Sequence, residues 1–349
     1  DVKFLYHHDR HAVTHARNRE YLFRILNYWV SRGVRGFRLD HTTDADSGLS
    51  ADDWRYIIGK VNYYDWRRQG SPADHVPPVY LAEEFHDQQA MNPVVDAMTE
   101  GYVGDIRGHW YQGEKNASFV EAQLSNSRRF RLSDTDPGIF VMRGLETHDE
   151  KRLVEGTGFD PWTGAVFWSI GAASRGLPMI LTGQEFGESW GLGFRGPARL
   201  HARFGGDGNY HDWGEQLVDF YGRLSRARLD WRNTAALTGD EEWFLRKQGG
   251  GGINEAIFAQ ARWVPGKPEG AVFTFFKLWE IGSQAEHYSI GSGLASELGL
   301  RPQQLYRFVD ALDPSTSARP MSDCRSGSAW AQDGISVNFK PHERVLWLR

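Results

Sequence analysis

The hydrophobic positions of the first 230 or so residues follow two alternating spacings. Between residues 17 and 32 apolar side chains recur three and four positions apart, which places them on one face of a helix. A short apolar run at residues 34–39 then predicts a buried strand. Further helices are predicted at residues 51–68, 87–99, 116–127, 161–175 and 212–229, and further strands at 78–82, 139–145 and 177–182. Strands that alternate with helices predict parallel βα units.

The pattern changes from about residue 240 onward. Four consecutive glycines occupy residues 249–252, and short β-like runs follow them. These runs cover residues 256–259, 271–276, 304–308, 335–339 and 345–348. We therefore predict two domains, a βα domain over residues 1–240 and an antiparallel β-sandwich over residues 241–349. The aperiodic, glycine-rich residues 188–212 predict a long loop over the βα domain.

Acidic residues follow the first three predicted strands. Asp40 comes after the first, Glu83 and Glu84 after the second, and His148 and Asp149 after the third. In a βα barrel the loops after the strands form one rim, where the chemistry sits, so these groups are expected to converge. Each also has a structural interpretation taken alone: Asp40 as a helix N-cap, the glutamates as a solvated loop, and His148–Asp149 as a surface pair.

Four segments, in this order along the chain, resemble motifs of the α-amylase family of glycoside hydrolases. They are Gly36–Asp40, Leu81–Phe85, Thr147–Asp149 and Gly176–Glu185. In that family they end the fourth, fifth, seventh and eighth barrel strands. The second segment has Ala82 in place of the usual glycine, and the third has Thr147 in place of the usual asparagine.

The resemblance implies an α/β fold, with strands about four to eight of a (β/α)8 barrel followed by an antiparallel β domain. It implies a retaining mechanism with Asp40 as nucleophile, Glu83 as general acid/base and Asp149 as stabiliser of the cationic transition state. Which glutamate is the acid stays open on chemistry alone, and the motif alignment favours Glu83 over Glu84. The residues expected to bind substrate are Arg38, His41, His148 and Arg152.

Two departures from the family change the expectations. Thr43 and Asp44 stand where many amylases have Lys-His, which weakens the case for calcium and for ordinary endo-cleavage of starch. We expect no cofactor.

The first three strands and the first motif of the family have no counterpart in the sequence, and a barrel cannot close without them. We therefore expect a companion chain, or a further N-terminal segment, to complete the barrel.

Composition narrows the class of partner. The formal net charge of −5, from 40 basic and 45 acidic residues, argues against a nucleic-acid surface. No apolar run approaches the roughly 18 residues of a membrane helix. The single cysteine, Cys324, excludes an internal disulfide and fits a reducing, cytoplasmic compartment. The 14 Trp and 13 Tyr residues suit either stacking on sugar rings or a large core.

The expected function is cleavage or transfer at α-glucosidic bonds of an α-glucan or oligosaccharide. Hydrolysis and transglycosylation use the same three acids, so the motifs do not choose between them. The alternative from another class is a carbohydrate-binding or scaffold protein that has kept the barrel without catalysis. Loss of one of the three acids would favour that alternative, and all three are present.

Overall fold

The structure is a computed structural model. It describes residues 12–43, 48–85, 87–99, 116–126, 138–149, 152–153, 161–188, 213–250, 252–279, 284–313, 320–340 and 343–349. By its internal contacts the chain divides into two compact units. The first unit comprises Asp1–Gly101 and Ser127–Met142, and the second comprises Tyr102–Asn126 and Arg143–Arg349.

The first unit alternates helices with parallel strands. In chain order its described elements are α1 (Ala12–Ser31), β1 (Gly36–Leu39), α2 (Ala51–Arg68), β2 (Val79–Ala82), α3 (Gln88–Met91), β3 (Ala97–Met98) and β4 (Phe140–Arg143), whose last residue belongs to the second unit. The strands form a sheet in the order β1-β2-β3-β4, and each neighbouring pair is parallel. The predicted βα organisation is confirmed here.

Local sequence explains where the second helix begins and ends. Ser50 caps α2, because its hydroxyl accepts from the Asp53 amide at 3.3 Å while the Asp53 carboxylate accepts from the Ser50 amide at 2.9 Å. Arg67 and Arg68 lie in the last turn, where positive charge meets the negative end of the helix dipole. The buried face of α2 packs on α1 and the sheet, with Ile57 and Val61 fully enclosed.

One predicted helix of this unit was wrong. Residues 87–99 contain only the single-turn helix α3, followed by strand β3. Pro93 has no backbone N–H to continue the helical hydrogen bonding beyond Asn92. The apolar residues that follow enter the sheet instead, where Ala97 pairs with Leu81 on one side and with Phe140 on the other.

The second unit combines helices with antiparallel sheets. Its described elements are α4 (Ala117–Asn126), α5 (Pro161–Ala173), β5 (Leu177–Pro178), a 3-10 turn (Gln184–Phe186), α6 (Trp213–Leu229), α7 (Trp231–Thr238), β6 (Glu242–Phe244), β7 (Arg246–Lys247), β8 (Ile257–Val264), β9 (Lys267–Lys277), β10 (Gln284–Ser289), α8 (Gly291–Glu297), β11 (Leu305–Tyr306), β12 (Arg325–Ser326), α9 (Gly327–Asp333), β13 (Ile335–Phe339) and β14 (Val345–Leu348).

The antiparallel strands form three sheets. The largest has the order β14-β9-β8-β6, the second β13-β10-β7, and the third pairs β11 with β12. Strands β8 and β9 share one hydrophobic core with α5 and α6, through side chains such as Phe258, Phe276 and Trp168. The predicted antiparallel region is therefore confirmed, while the domain boundary at residue 240 stays a prediction.

The predicted loop at 188–212 lies outside the described residues except for Glu188, as does Asp44. Within the described part of the chain, none of the helices has the length and hydrophobicity needed to cross a membrane. Cys324 is exposed and forms no disulfide, because the chain has no second cysteine.

Candidate active site

Asp40 and Glu83 are brought side by side by the register of two parallel strands. Leu39, the last residue of β1, pairs with Ala82, the last residue of β2, so the next residue of each strand carries a carboxyl at the same edge of the sheet. The pairing continues past the strand ends, because the Glu83 amide donates to the Leu39 carbonyl at 2.8 Å. The sequence prediction that these two acids converge is confirmed within the first unit.

Arg38 bridges the two carboxylates. It lies two residues before Asp40 and therefore points to the same side of the strand. One guanidinium nitrogen binds Asp40 Oδ1, and the other lies 2.7 Å from Glu83 Oε1. The Asp40 side chain is 59% exposed, whereas that of Glu83 is only 8% exposed. One acid thus faces open space and the other sits in a drier environment.

His41 adopts a backbone conformation that is uncommon for its residue type. Its φ is +45°, in the left-handed region, which costs a residue with a Cβ roughly 1–2 kcal/mol. This turn directs the His41 amide to Glu83 Oε2, to which it donates at 3.2 Å. The backbone of His41 therefore hydrogen-bonds Glu83. The binding of substrate by the exposed ring of His41 stays a prediction.

The surroundings of the two acids move their pKa values in opposite directions. Partial burial, the largest influence on Asp40, raises its pKa, but hydrogen bonds from Glu83 and Arg38 and the Arg38 charge together bring the pKa below its ordinary value. Burial is also the largest influence on Glu83, and with the hydrogen bond to Asp40 it raises the Glu83 pKa despite the His41 amide and Arg38. A proton shared by the pair therefore resides on Glu83.

The same cluster offers ligand atoms to a cation. One donor atom each from Asp40, His41 and Glu83 lies within 4.8 Å of the other two. Carboxylate and imidazole donors suit a divalent transition metal. The Arg38 guanidinium, however, already supplies a positive charge to both carboxylates. A cation bound here would have to share these two carboxylates with Arg38.

Glu84 lies in a different environment from Glu83, although the two residues are adjacent in the chain. Its carboxylate is 1% exposed and accepts from the Thr42 hydroxyl at 2.7 Å, the Thr43 hydroxyl at 2.5 Å and the Asp87 amide at 2.8 Å. Glu83 is the glutamate hydrogen-bonded to Asp40. The sequence analysis did not predict these contacts of Glu84, which depend on the turn formed by the residues after Asp40.

His148 and Asp149 belong to the second unit and form a pair there. His148 Nε2 lies 3.0 Å from Asp149 Oδ2, and both side chains are about half exposed. The Asp149 amide donates to the Thr147 hydroxyl at 3.3 Å, which closes a tight turn after Glu146. Their predicted roles toward substrate stay predictions.

Arg152 lies in the same unit, with its side chain fully buried. One guanidinium nitrogen is 2.6 Å from Glu146 Oε2, and the other donates to the Thr182 carbonyl at 2.7 Å. Glu146 also accepts from the Leu153 amide at 2.9 Å. These contacts favour a role in fixing the turn that carries Asp149, and substrate binding by Arg152 stays a prediction.

Solved structures of three glycoside-cleaving enzymes are similar in fold to this chain. The chain superposes on a cyclic α-maltosyl-(1→6)-maltose hydrolase from Arthrobacter globiformis with a TM-score of 0.61 at 15% identity, covering 95% of this chain and 60% of that one. A maltogenic α-amylase from Thermotoga neapolitana gives 0.64 at 13% identity, covering 99% and 72%. A debranching enzyme from Nostoc punctiforme gives 0.60 at 14% identity, covering 95% and 61%.

These similarities establish that the fold resembles that of α-amylase-family glycoside hydrolases. The chain spans about 60% of the length of two of these three proteins. No protein-family model matches the sequence. No curated protein sequence matches it either.

Proposed function

We propose that this chain carries the nucleophile and the general acid/base of a retaining glycoside hydrolase or transglycosylase that acts on α-glucosidic bonds. Asp40 is the nucleophile and Glu83 is the acid/base. The observation that carries the proposal is the contact between two carboxyls whose pKa values move apart, downward for Asp40 and upward for Glu83. Such opposed shifts are how a site assigns acid and nucleophile to chemically similar groups.

The proposed reaction proceeds in two displacements. Ionised Asp40 attacks the anomeric carbon while protonated Glu83 gives its proton to the departing glycosidic oxygen, leaving a glycosyl ester on Asp40. Glu83, now a carboxylate, then removes a proton from water or from a sugar hydroxyl, which attacks the ester and frees Asp40. Arg38 favours the ionised form of Asp40 throughout. Acid, base and nucleophile all come from side chains, so the proposal needs no cofactor.

The spacing of the acids supports retention over inversion. An inverting pair needs carboxyls about 6.5–9.5 Å apart to hold a water between them, whereas a retaining pair lies about 5–5.5 Å apart. One carboxyl oxygen of Asp40 lies within 4.8 Å of one of Glu83, which supports the closer spacing of a retaining pair.

The substrate class is proposed from the structural neighbours. They include a hydrolase named for a cyclic maltose derivative and an α-amylase described as maltogenic. We therefore propose an α-glucan or α-glucosidic oligosaccharide as substrate. In this proposal the family resemblance assigns stabilisation of the cationic transition state to Asp149 and contacts with substrate to Arg38, His41 and His148.

A further polypeptide segment is part of the proposal. Strand β1 pairs with β2 on one side, and no other strand among the described residues pairs with its second edge. An unpaired edge leaves backbone donors and acceptors open to another strand. Tyr28 and Trp29 of the preceding helix are also about half exposed. These features support a barrel completed by a companion chain or a further segment. An active species with the mass of this chain alone would contradict that part.

The test of the proposed function is product stereochemistry. The assembly that contains this chain is incubated with maltooligosaccharides, and the anomeric protons of the first products are followed by NMR. We expect α-anomers at early times and their loss in Asp40→Ala. Products longer than the starting sugar would identify transfer. Early β-anomers would contradict retention. Binding of the sugar without turnover, unchanged in Asp40→Ala, would favour the non-catalytic alternative.

A further inference from the structure

The loops that follow β1 and β2 are held together around Glu84. Its carboxylate lies at the end of β2, almost wholly buried, and its three described donors include the hydroxyls of Thr42 and Thr43. The third donor is the amide of Asp87, three residues further along the chain. A buried carboxylate is tolerated where several donors satisfy its oxygens. Glu84 therefore joins the segment after Asp40 to the segment after Glu83.

Additional hydrogen bonds connect this junction to the rest of the first unit. The Thr42 amide donates to the Glu83 carbonyl at 3.2 Å, and the Trp54 indole donates to the Thr42 carbonyl at 2.7 Å. Thr42 itself is fully buried. His41, between Asp40 and Thr42, is thereby held in its left-handed conformation with its amide on Glu83.

We propose that Glu84 is a positioning residue that fixes the His41–Thr43 turn and so sets the geometry of Asp40 against Glu83. The inference rests on the proposed function for its effect on catalysis. Glu84 does not take part in proton transfer. Its carboxylate binds the two threonine hydroxyls, which hold the turn, and the turn presents the His41 amide to the general acid.

Glu84→Gln tests this role with almost no change in volume. The amide group keeps one acceptor oxygen but places an N–H₂ against donors, the Asp87 amide or the threonine hydroxyls. We expect kcat to fall roughly ten- to hundredfold, as for small misplacements of reacting groups, with a much smaller change in KM. The His41 amide lowers the Glu83 pKa, so its displacement should move the alkaline limb of the pH–kcat/KM profile to higher pH.

Asp65→Asn is the matched control. Asp65 is equally buried in the same unit, but it binds Arg35 and His75 and touches neither loop. We expect it to lower stability without moving the pH profile. Thr43→Val removes one hydrogen-bond donor to Glu84 at a half-buried position. We expect a smaller fall in kcat and a smaller move of the alkaline limb, and this variant provides the test if Glu84→Gln fails to fold.

A readout that needs no turnover separates this inference from the proposed function. The Glu83 carboxyl carbon is titrated by ¹³C NMR in the wild type, Glu84→Gln and Thr43→Val, with Glu83→Gln for assignment. A higher Glu83 pKa in the Glu84 and Thr43 variants supports positioning, even if the wild type cleaves no α-glucan. An unchanged Glu83 titration, or an equal shift in Asp65→Asn, overturns it.

Discussion

Replacing Arg38 by methionine tests the electrostatic design of the site. The guanidinium binds both Asp40 and Glu83, and its charge lowers the pKa of each acid. Methionine keeps much of the length of the side chain but removes the charge and the donors. Both pKa values should therefore rise, which shifts the acid limb and the alkaline limb of the activity profile in the same direction, to higher pH.

The size of the pKa change in Arg38→Met depends on how far the charged side chains are exposed to solvent. Unit charges about 4 Å apart interact by about 1 kcal/mol in bulk water and about 4 kcal/mol at an effective dielectric constant of about 20. The Arg38 side chain is 33% exposed and that of Asp40 is more so, which favours the lower half of this range. About 1–2 kcal/mol corresponds to about one pKa unit. We expect each limb to move by about that amount.

The assay is kcat/KM for a soluble α-glucoside across the pH range, at constant ionic strength. Activity needs Asp40 ionised and Glu83 protonated, so the acid limb reports the Asp40 pKa and the alkaline limb reports that of Glu83. Arg24→Met, a mostly exposed arginine in the same unit, is the matched control and should leave both limbs in place. Limbs that stay fixed, or that move in opposite directions, would refute the reasoning for Arg38.

Three further predictions follow from the same structure. Glu83→Gln should lower the rate of hydrolysis of maltooligosaccharides roughly 10²–10⁴-fold. The rate on α-glucosides with good leaving groups should fall far less, and equal rate losses on both substrates would argue against a general acid. Asp65→Asn should reduce the free energy of unfolding by about 2 kcal/mol at pH 7 in urea denaturation, because it weakens hydrogen bonds between charged groups. The Asp65 pKa is lowered in the folded state, so its stabilisation is present above the unfolded value of about 3.9 and disappears as pH falls through the lowered pKa; a pH-independent deficit would contradict this. Gly334→Ala should cost on the order of 2–3 kcal/mol, because φ is +67° and a Cβ would overlap the Tyr288 carbonyl; an unchanged melting temperature would exclude that clash.

The elements that sequence predicted best are those with a strong local signal. Helix α2 has both a capping serine and an amphipathic pattern, and its bounds, Ala51–Arg68, match the prediction. Strands β13 and β14 also match, because their apolar runs are short and bounded by turns. Strand β10 was missed because Gln284–Ser289 contains almost no apolar residue and gains its place by pairing with β13.

The candidate site was predictable to the extent that it lies next to strand ends. Asp40 and Glu83 follow paired strands directly, so a parallel register alone brings them together. The contacts of buried Glu84 depend on a turn that folds back toward β2. That turn needs a positive φ at His41, which a histidine in the sequence does not predict. Arg152 was expected at the substrate, but its burial against Glu146 depends on packing that a motif does not encode.

The central claim is that Asp40 forms a covalent bond to the sugar. The most direct measurement is mass spectrometry of the protein after reaction with a fluorinated α-glucosyl donor whose glycosyl ester hydrolyses slowly. We predict one added glycosyl group on the peptide that contains Asp40, greater accumulation with an activated donor in Glu83→Gln, and none in Asp40→Ala. A glycosyl group on any other residue, or turnover by Asp40→Ala equal to that of the wild type, would contradict the account.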